Sequence, residues 1–252
     1  MKYISSAKNP QVKQWKKLLT KKERDRSGTF LVEGFHLVEE ALQANTIIEM
    51  IVSENVELPV KWNYGDIPVT EVTDEVIRAL GETETPQGVL AVCEQAQPNF
   101  SELIGSRFLL VDAVQDPGNL GTMIRTADAS GIDAVIVGNG SVDIYNQKVL
   151  RSAQGSHFHL PVISGNLEVW MDDLKEKGIP IYGTALENAS VFTEVNPENE
   201  FALLVGNEGK GVNQELLKRT TANLYIPIFG KSESLNVAVA TGILLYYLRA
   251  QK

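Results

Sequence analysis

Residues 226–252 read IPIFGKSESLNVAVATGILLYYLRAQK: a short apolar strand runs through a polar loop rich in glycine and serine and enters an apolar helix. In an α/β domain such a loop sits at the carboxyl edge of the sheet, where backbone N–H groups and small side chains meet ligands. Ser232, Ser234 and Asn236 are therefore placed for a ligand. A serine just ahead of an apolar run is also what a helix N-cap looks like, so Ser234 has a purely structural alternative.

Upstream of this stretch and into its start, apolar runs of strand length at 107–112, 134–137, 179–184, 201–205 and 224–228, with a short strand near 158–163, alternate with helical patterns at 122–130, 167–177 and 213–219. The alternation predicts an α/β domain with a parallel sheet. Two further loops follow strands. DPGNLG, from Asp116, opens a helix that carries Arg125, and its glycines allow close backbone approach while Arg125 offers a fixed planar cation. Pro-Gly-Asn taken alone is equally an ordinary turn. GNEGKG, from Gly206, packs three glycines into six residues, yet its Gly-Lys is followed by Gly211 instead of Ser or Thr, so it is not a P-loop. No GxGxxG is present either, which weakens ATP and dinucleotide readings. In a parallel sheet all three loops would gather at one edge, forming a pocket with Asn119, Arg125, Glu208, Ser234 and Asn236 nearby. That pocket contains no evident nucleophile. No metal site is expected: His36, His157 and His159 are too few, and the last two, read as sharing one strand face, lack a carboxylate or cysteine partner.

The first hundred residues form a second, smaller α/β pattern. A basic amphipathic helix is predicted over 9–22, then strands at 29–33, 47–53 and 88–93 and helices at 36–43 and 74–80. A polar segment containing Pro98 separates the two patterns, giving modules 1–96 and 106–252 with a linker at 97–105. The chain has 252 residues and a net charge of -9, but its first 30 residues hold nine lysines and arginines against Glu23 and Asp25 alone. Such a segment could follow a phosphate backbone, with Asn9, Gln11 and Trp15 beside it, while the acidic remainder discourages indiscriminate binding. A solvated helix face explains the charge equally well. A single cysteine, Cys93, excludes an intramolecular disulfide framework and fits a reducing compartment. With no apolar signal core and no run approaching a membrane span, a soluble cytoplasmic protein is expected.

Together the three loops resemble the SpoU/TrmH family of the SPOUT superfamily, S-adenosylmethionine-dependent RNA ribose 2′-O-methyltransferases. The first family motif is met by Asn119, Gly121 and Arg125, the second by LVGNEGKGV from Leu204, and the third by IPIFGKSESLNVAVA from Ile226. RSAQGSHFHLPV from Arg151 looks like the segment between motifs. KNPQVKQWKKL and GTFLVEGFHLVEEAL are similar to the family's ribosomal-protein-like substrate-binding domain. Ala238 departs from the serine many members carry there. The resemblance implies a carboxyl-terminal domain with a deep trefoil knot, and a homodimer packed through that domain, the final helix with its LYYL facing the partner. It implies S-adenosylmethionine held by Thr184, Leu204, Gly206, Asn207, Gly211, Ile226 and Leu235. Catalytic roles fall to Arg125 as phosphate anchor and oxyanion stabiliser, to Asn119 and Ser234 as orienters of the nucleotide, and to Asn236 and Glu208 as braces of the loops. Lys8, Lys13, Lys16, Lys17, Lys21, Lys22 and Arg24 are the expected RNA contacts. The expected substrate is 23S (large-subunit) ribosomal RNA, with a transfer-RNA 2′-O-methyltransferase or a non-catalytic RNA-binding ribosome-assembly factor as alternatives.

Overall fold

The computed structural model describes residues 2–96, 105–196 and 198–250. All of the linker expected at 97–105 except Gly105 lies outside the described residues. The chain forms two compact units, Met1–Gln95 with Tyr145–Phe158, and Ala96–Ile144 with His159–Lys252.

In the first unit the strands are β1 (Lys2–Ile4), β2 (Thr29–Glu33), β3 (Ile47–Ser53), β4 (Val69–Val72) and β5 (Val89–Glu94). They form a mixed sheet in the order β1-β4-β3-β5-β2, with β5 antiparallel to both neighbours and the other pairs parallel. Helices α1 (Pro10–Lys17), α2 (Lys21–Ser27), α3 (Phe35–Gln43) and α4 (Asp74–Leu80) accompany it. Val12 and Trp15 of α1 bury against Ile51, Leu90 and the α4 residues Val76 and Leu80.

The single basic helix expected over 9–22 is two helices. Asn9 caps α1, accepting from the Gln11 N–H at 2.8 Å, and Pro10 supplies a preset first residue. The break comes at Thr20, which is extended (ψ 137°) and whose carbonyl accepts from the N–H groups of Glu23 and Arg24 to start α2. Arg24 is buried and donates from Nη1 to the Leu18 carbonyl at 2.7 Å, satisfying an acceptor that the end of α1 leaves without a helical partner. The segment Tyr145–Phe158, read from sequence as polar loop and strand, holds α6 (Gln147–Ala153) and a 3-10 turn at Ser156–Phe158. It packs within this unit: Tyr145 lies with its ring centroid 4.4 Å from that of Phe30, and Gln147 donates to the Leu31 carbonyl at 2.8 Å. His157 therefore sits in a 3-10 turn, not on a strand face shared with His159.

The second unit is a parallel sheet of β6 (Arg107–Val111), β7 (Ala134–Gly138), β8 (Val162–Gly165), β9 (Ile181–Thr184), β10 (Ser190–Val191), β11 (Phe201–Val205) and β12 (Ala222–Tyr225), in the order β10-β12-β9-β11-β6-β7-β8. Alternation along β6 sends Phe108 and Leu110 to one face, where they join Leu167, Trp170, Met171 and Leu174 of α7 (Leu167–Glu176) and Leu216 of α8 (Gln214–Leu217). The other face is covered by α5 (Pro117–Ala129) and α9 (Val237–Arg249), which pack on β7, β11 and each other. Burial on both faces explains why β7 and β11 are apolar at every position.

Because every strand of this sheet is parallel, the loops leaving β6, β9, β11 and β12 emerge at one edge, and the strand order makes those four strands neighbours. DPGNLG is not a free loop. Asp116 accepts from the Asn119 N–H at 2.8 Å as N-cap and Pro117 takes the first helical position, so Asn119 lies in the first turn of α5.

Candidate active site

The loop after β11 is closed by a reciprocal pair, Asn207 N–H to Gly211 carbonyl at 3.0 Å and Gly211 N–H to Asn207 carbonyl at 2.9 Å. Gly211 has φ +70°, a region that favours glycine. Gly206 leaves no room at all: a Cβ there would lie 2.2 Å from the Val212 nitrogen. The Asn207 side chain fixes the turn, its Oδ1 accepting from the N–H groups of Gly209 and Lys210 at 3.0 Å each and its Nδ2 donating to the Ala113 carbonyl at 2.8 Å. Asp112 adds a second tie, accepting from the Asn213 N–H at 2.7 Å.

A relay joins the three loops. Asn236, not Ser234, is the N-cap of α9, accepting through Oδ1 from the N–H groups of Ala238 and Val239 at 2.9 and 3.3 Å. Its Nδ2 donates to Asn119 Oδ1 at 2.9 Å, and Asn119 Nδ2 donates to Glu208 Oε1 at 3.1 Å. Glu208 also accepts from the backbone N–H of Gln115 at 3.2 Å and of Asp116 at 3.0 Å. The direction is set at both ends: helix N–H groups need an acceptor on Asn236, and a carboxylate can only accept. Partial desolvation pushes the Glu208 carboxyl up, but the bonds from Asp116, its own N–H, Asn119 and Gln115 outweigh it and hold the group below the usual carboxylate range. Glu208 is thus an ionised strut between loops, and Asn119 spends its amide bridging Glu208 and Asn236.

A cavity of about 700 Å³ opens beside this relay at the carboxyl ends of β9, β11 and β12. Of the residues expected to hold a cofactor, Thr184, Gly206, Asn207, Gly211, Ile226 and Leu235 line it. Leu204 does not: it is fully buried in β11, and its carbonyl accepts from Thr184 Oγ1 at 3.2 Å. Glu208 and Ser234 also line the cavity, whereas Asn119 and Asn236 are outside its lining and Arg125 stands exposed on α5. Among the described residues Arg125 makes no hydrogen bond or ion pair, leaving its guanidinium available for a ligand. Sequence reading missed the lining carboxylates Glu187 and Glu233 and the rim residue Leu186, which no local pattern marks. The Asp116 cap it could have found, since Asp-Pro ahead of a helical pattern is an N-terminus signal.

In the first unit Lys8, Lys13, Lys16, Lys17, Lys21 and Lys22 are exposed, Lys21 pairing with Asp25 at 2.8 Å. Arg24 is not with them; its burial and its bond to Leu18 make it a structural residue. Trp15 and Gln11, expected beside the phosphates, both donate to Glu49 at 3.0 Å, and Trp15 is buried. Burial also pushes the Cys93 thiol up to about 12, so no thiolate nucleophile arises there. Among the described residues no group of three His, Cys, Asp or Glu side chains is placed to hold a metal ion, and no helix is long and apolar enough to cross a membrane.

Comparison with known proteins gives two family matches, the SpoU rRNA Methylase family over residues 106–246 and the MRM3-like substrate binding domain over residues 9–91. The chain is 52% identical over 250 residues to the 23S rRNA (guanosine(2553)-2′-O)-methyltransferase RlmP of Bacillus subtilis, covering 99% of this chain and 100% of that one. Among solved structures, an AdoMet-bound rRNA methyltransferase from Sinorhizobium meliloti superposes with a TM-score of 0.88 at 32% identity, over 99% of this chain and 97% of that one. The SpoU methyltransferase AviRb from Streptomyces viridochromogenes, in complex with AdoMet, gives 0.86 at 28% identity over 96% and 98%.

Proposed function

The chain belongs to the SpoU rRNA Methylase family, and on that premise we propose that it transfers the methyl group of S-adenosylmethionine to a ribose 2′-hydroxyl of 23S ribosomal RNA. The observation that carries this reading is the cavity at the carboxyl ends of β9, β11 and β12, lined by all the expected cofactor residues except Leu204. Full-length likeness to a 23S rRNA guanosine methyltransferase supports a guanosine of large-subunit RNA as the acceptor.

The residues suit the cofactor. The turn closed by Asn207 and Gly211, with no room for a side chain at Gly206, offers a backbone wall, and the carboxylates of Glu187 and Glu233 on the lining favour a cation. Thr184, Ile226 and Leu235 would hold the apolar and ribose parts. Bound S-adenosylmethionine supplies an electrophilic methyl group on a sulfonium; the remaining work falls to the chain. A ribose 2′-hydroxyl is a weak nucleophile near neutral pH and needs positioning and stabilisation of its developing negative charge. Arg125 provides a planar cation for that charge or for the flanking phosphate; an arginine guanidinium keeps its proton, which argues against a role as base. Ser234 is one of three hydroxyl side chains on the cavity wall, with Thr184 and Tyr225, and is the one we assign to orienting the nucleotide. Glu208, with its acceptor directions engaged, is not the proton acceptor.

We assign RNA binding to the 1–96 module through the exposed lysines of α1 and α2 and methyl transfer to the 106–252 module. The exposed stripe Val239, Ile243 and Tyr246, spaced four and three along α9, supports a homodimer packed through the carboxyl-terminal domain. Insertion of β11 between β6 and β9 is consistent with a trefoil knot in that domain. Likeness to a bacterial 23S rRNA methyltransferase supports a cytoplasmic location.

The test is methylation of in vitro transcribed 23S rRNA with labelled S-adenosylmethionine, followed by ribose-methylation mapping. One modified guanosine is the expected result; cofactor binding without transfer to any RNA would refute the assignment.

A further inference from the structure

Apolar side chains gather at the mouth of the cavity. Leu186 is 78% exposed on the segment after β9, Ile228 36% and Leu235 37% on the loop after β12, and all three line the cavity. Phe229 lies between Ile228 and Gly230 on that same loop, is 97% exposed, and is not part of the lining. An aromatic ring left in water beside an apolar rim is poorly placed for folding and well placed for a partner.

The partner's chemistry follows from the reaction. A methyl group passes from donor to acceptor only when the reacting atoms are in near contact, so with the donor inside the cavity the acceptor nucleotide must cover its mouth. Phe229, next to the lining residue Ile228 and itself outside the lining, is exposed where it can meet that acceptor. Single-stranded or splayed bases are held chiefly by stacking on aromatic rings. Lys231, exposed two positions along, adds a cation for the adjoining phosphate.

Resting on the function proposed above, we propose that Phe229 is a base-stacking residue that holds the acceptor nucleotide, or the base next to it, over the cavity mouth. The ring contributes to RNA binding and leaves cofactor binding alone. A flat aromatic surface is what the role needs, so tryptophan should serve and leucine, though apolar, should not.

The experiment compares wild type with Phe229→Ala, Phe229→Leu and Phe229→Trp, measuring methyl transfer to a 23S rRNA fragment, S-adenosylmethionine affinity by calorimetry, and mass by light scattering. The expected result is a rise of about tenfold or more in KM for RNA with Ala and Leu, near wild-type behaviour with Trp, and unchanged cofactor affinity and mass throughout. Unchanged RNA KM in Phe229→Ala, or equal rescue by Leu and Trp, would overturn the inference. So would a fall in mass, which would place Phe229 in packing between two copies of the chain. If wild type itself binds cofactor but methylates no RNA, the parent function fails; an active wild type with an indifferent Phe229→Ala sinks only the stacking role.

Discussion

Asn236 donates to Asn119 across 2.9 Å, joining the N-cap of α9 to the first turn of α5 between residues 117 positions apart. Because Asn119 passes the relay on to Glu208, the three loops around the cavity form one hydrogen-bonded unit with a fixed polarity.

That polarity makes Asn119→Asp informative. The new carboxylate would meet Glu208, an acceptor that cannot donate to it, and the bridge would become a repulsion. We expect a loss of about 1–3 kcal/mol in stability, seen in thermal melts, together with weaker S-adenosylmethionine binding by calorimetry.

The strut has a pH signature. Glu208 is depressed in the folded state, so its stabilisation is full above the ordinary glutamate value of about 4.3 and is lost as pH falls through the lower folded value. Melting wild type and Glu208→Gln from pH 7 to pH 3 should show a gap that is widest near neutrality and closes in acid. A gap that widened in acid would contradict the assignment.

Gly206→Ala forces a methyl group onto the Val212 nitrogen and the Gly211 backbone. Backbone cannot move aside as a flexible side chain can. A penalty of about 1–3 kcal/mol is expected, with cofactor binding abolished because the wall formed by this turn is displaced.

Arg125→Ala should lower kcat at saturating RNA and cofactor while leaving S-adenosylmethionine affinity intact, since Arg125 is outside the cavity lining. Arg125→Lys should fail to restore full activity if planar recognition matters.

The basic helices separate two kinds of cation. Replacing Lys13, Lys16 and Lys17 with Gln should weaken RNA binding and lower the log–log salt slope by about 0.7–0.9 for each phosphate contact removed. Arg24→Ala should instead cost about 2 kcal/mol of stability, through loss of a charge-assisted bond in a buried site.

Much of the fold was legible because the signals are local. RFLLV, AVIVG and FALLV are apolar at nearly every position, as strands covered on both faces must be, and the first two motif segments follow RFLLV and FALLV. The third follows β12, ANLY, which is only partly buried and ends at Tyr225 where a strand to 228 was expected. Boundaries were less legible where one side chain decides them. Thr20 breaks the basic helix through its extended backbone, and Pro117 turns an expected loop into helix by fitting the first position behind the Asp116 cap.

The sequence by itself determined the α/β class, the order of the motifs and six of the seven residues expected on the cavity, since these follow from periodicity, turn chemistry and family resemblance. Only the tertiary structure decided that β9 lies between β11 and β12 and so brings Gly206, Thr184 and Ile226 onto one cavity, that Asn119 is spent on a bridge, that Arg24 is buried, and that Phe229 is exposed and outside the cavity lining. Strand pairing, side-chain hydrogen bonds across long separations and solvent exposure depend on which distant segments meet, and no window along the chain contains that information.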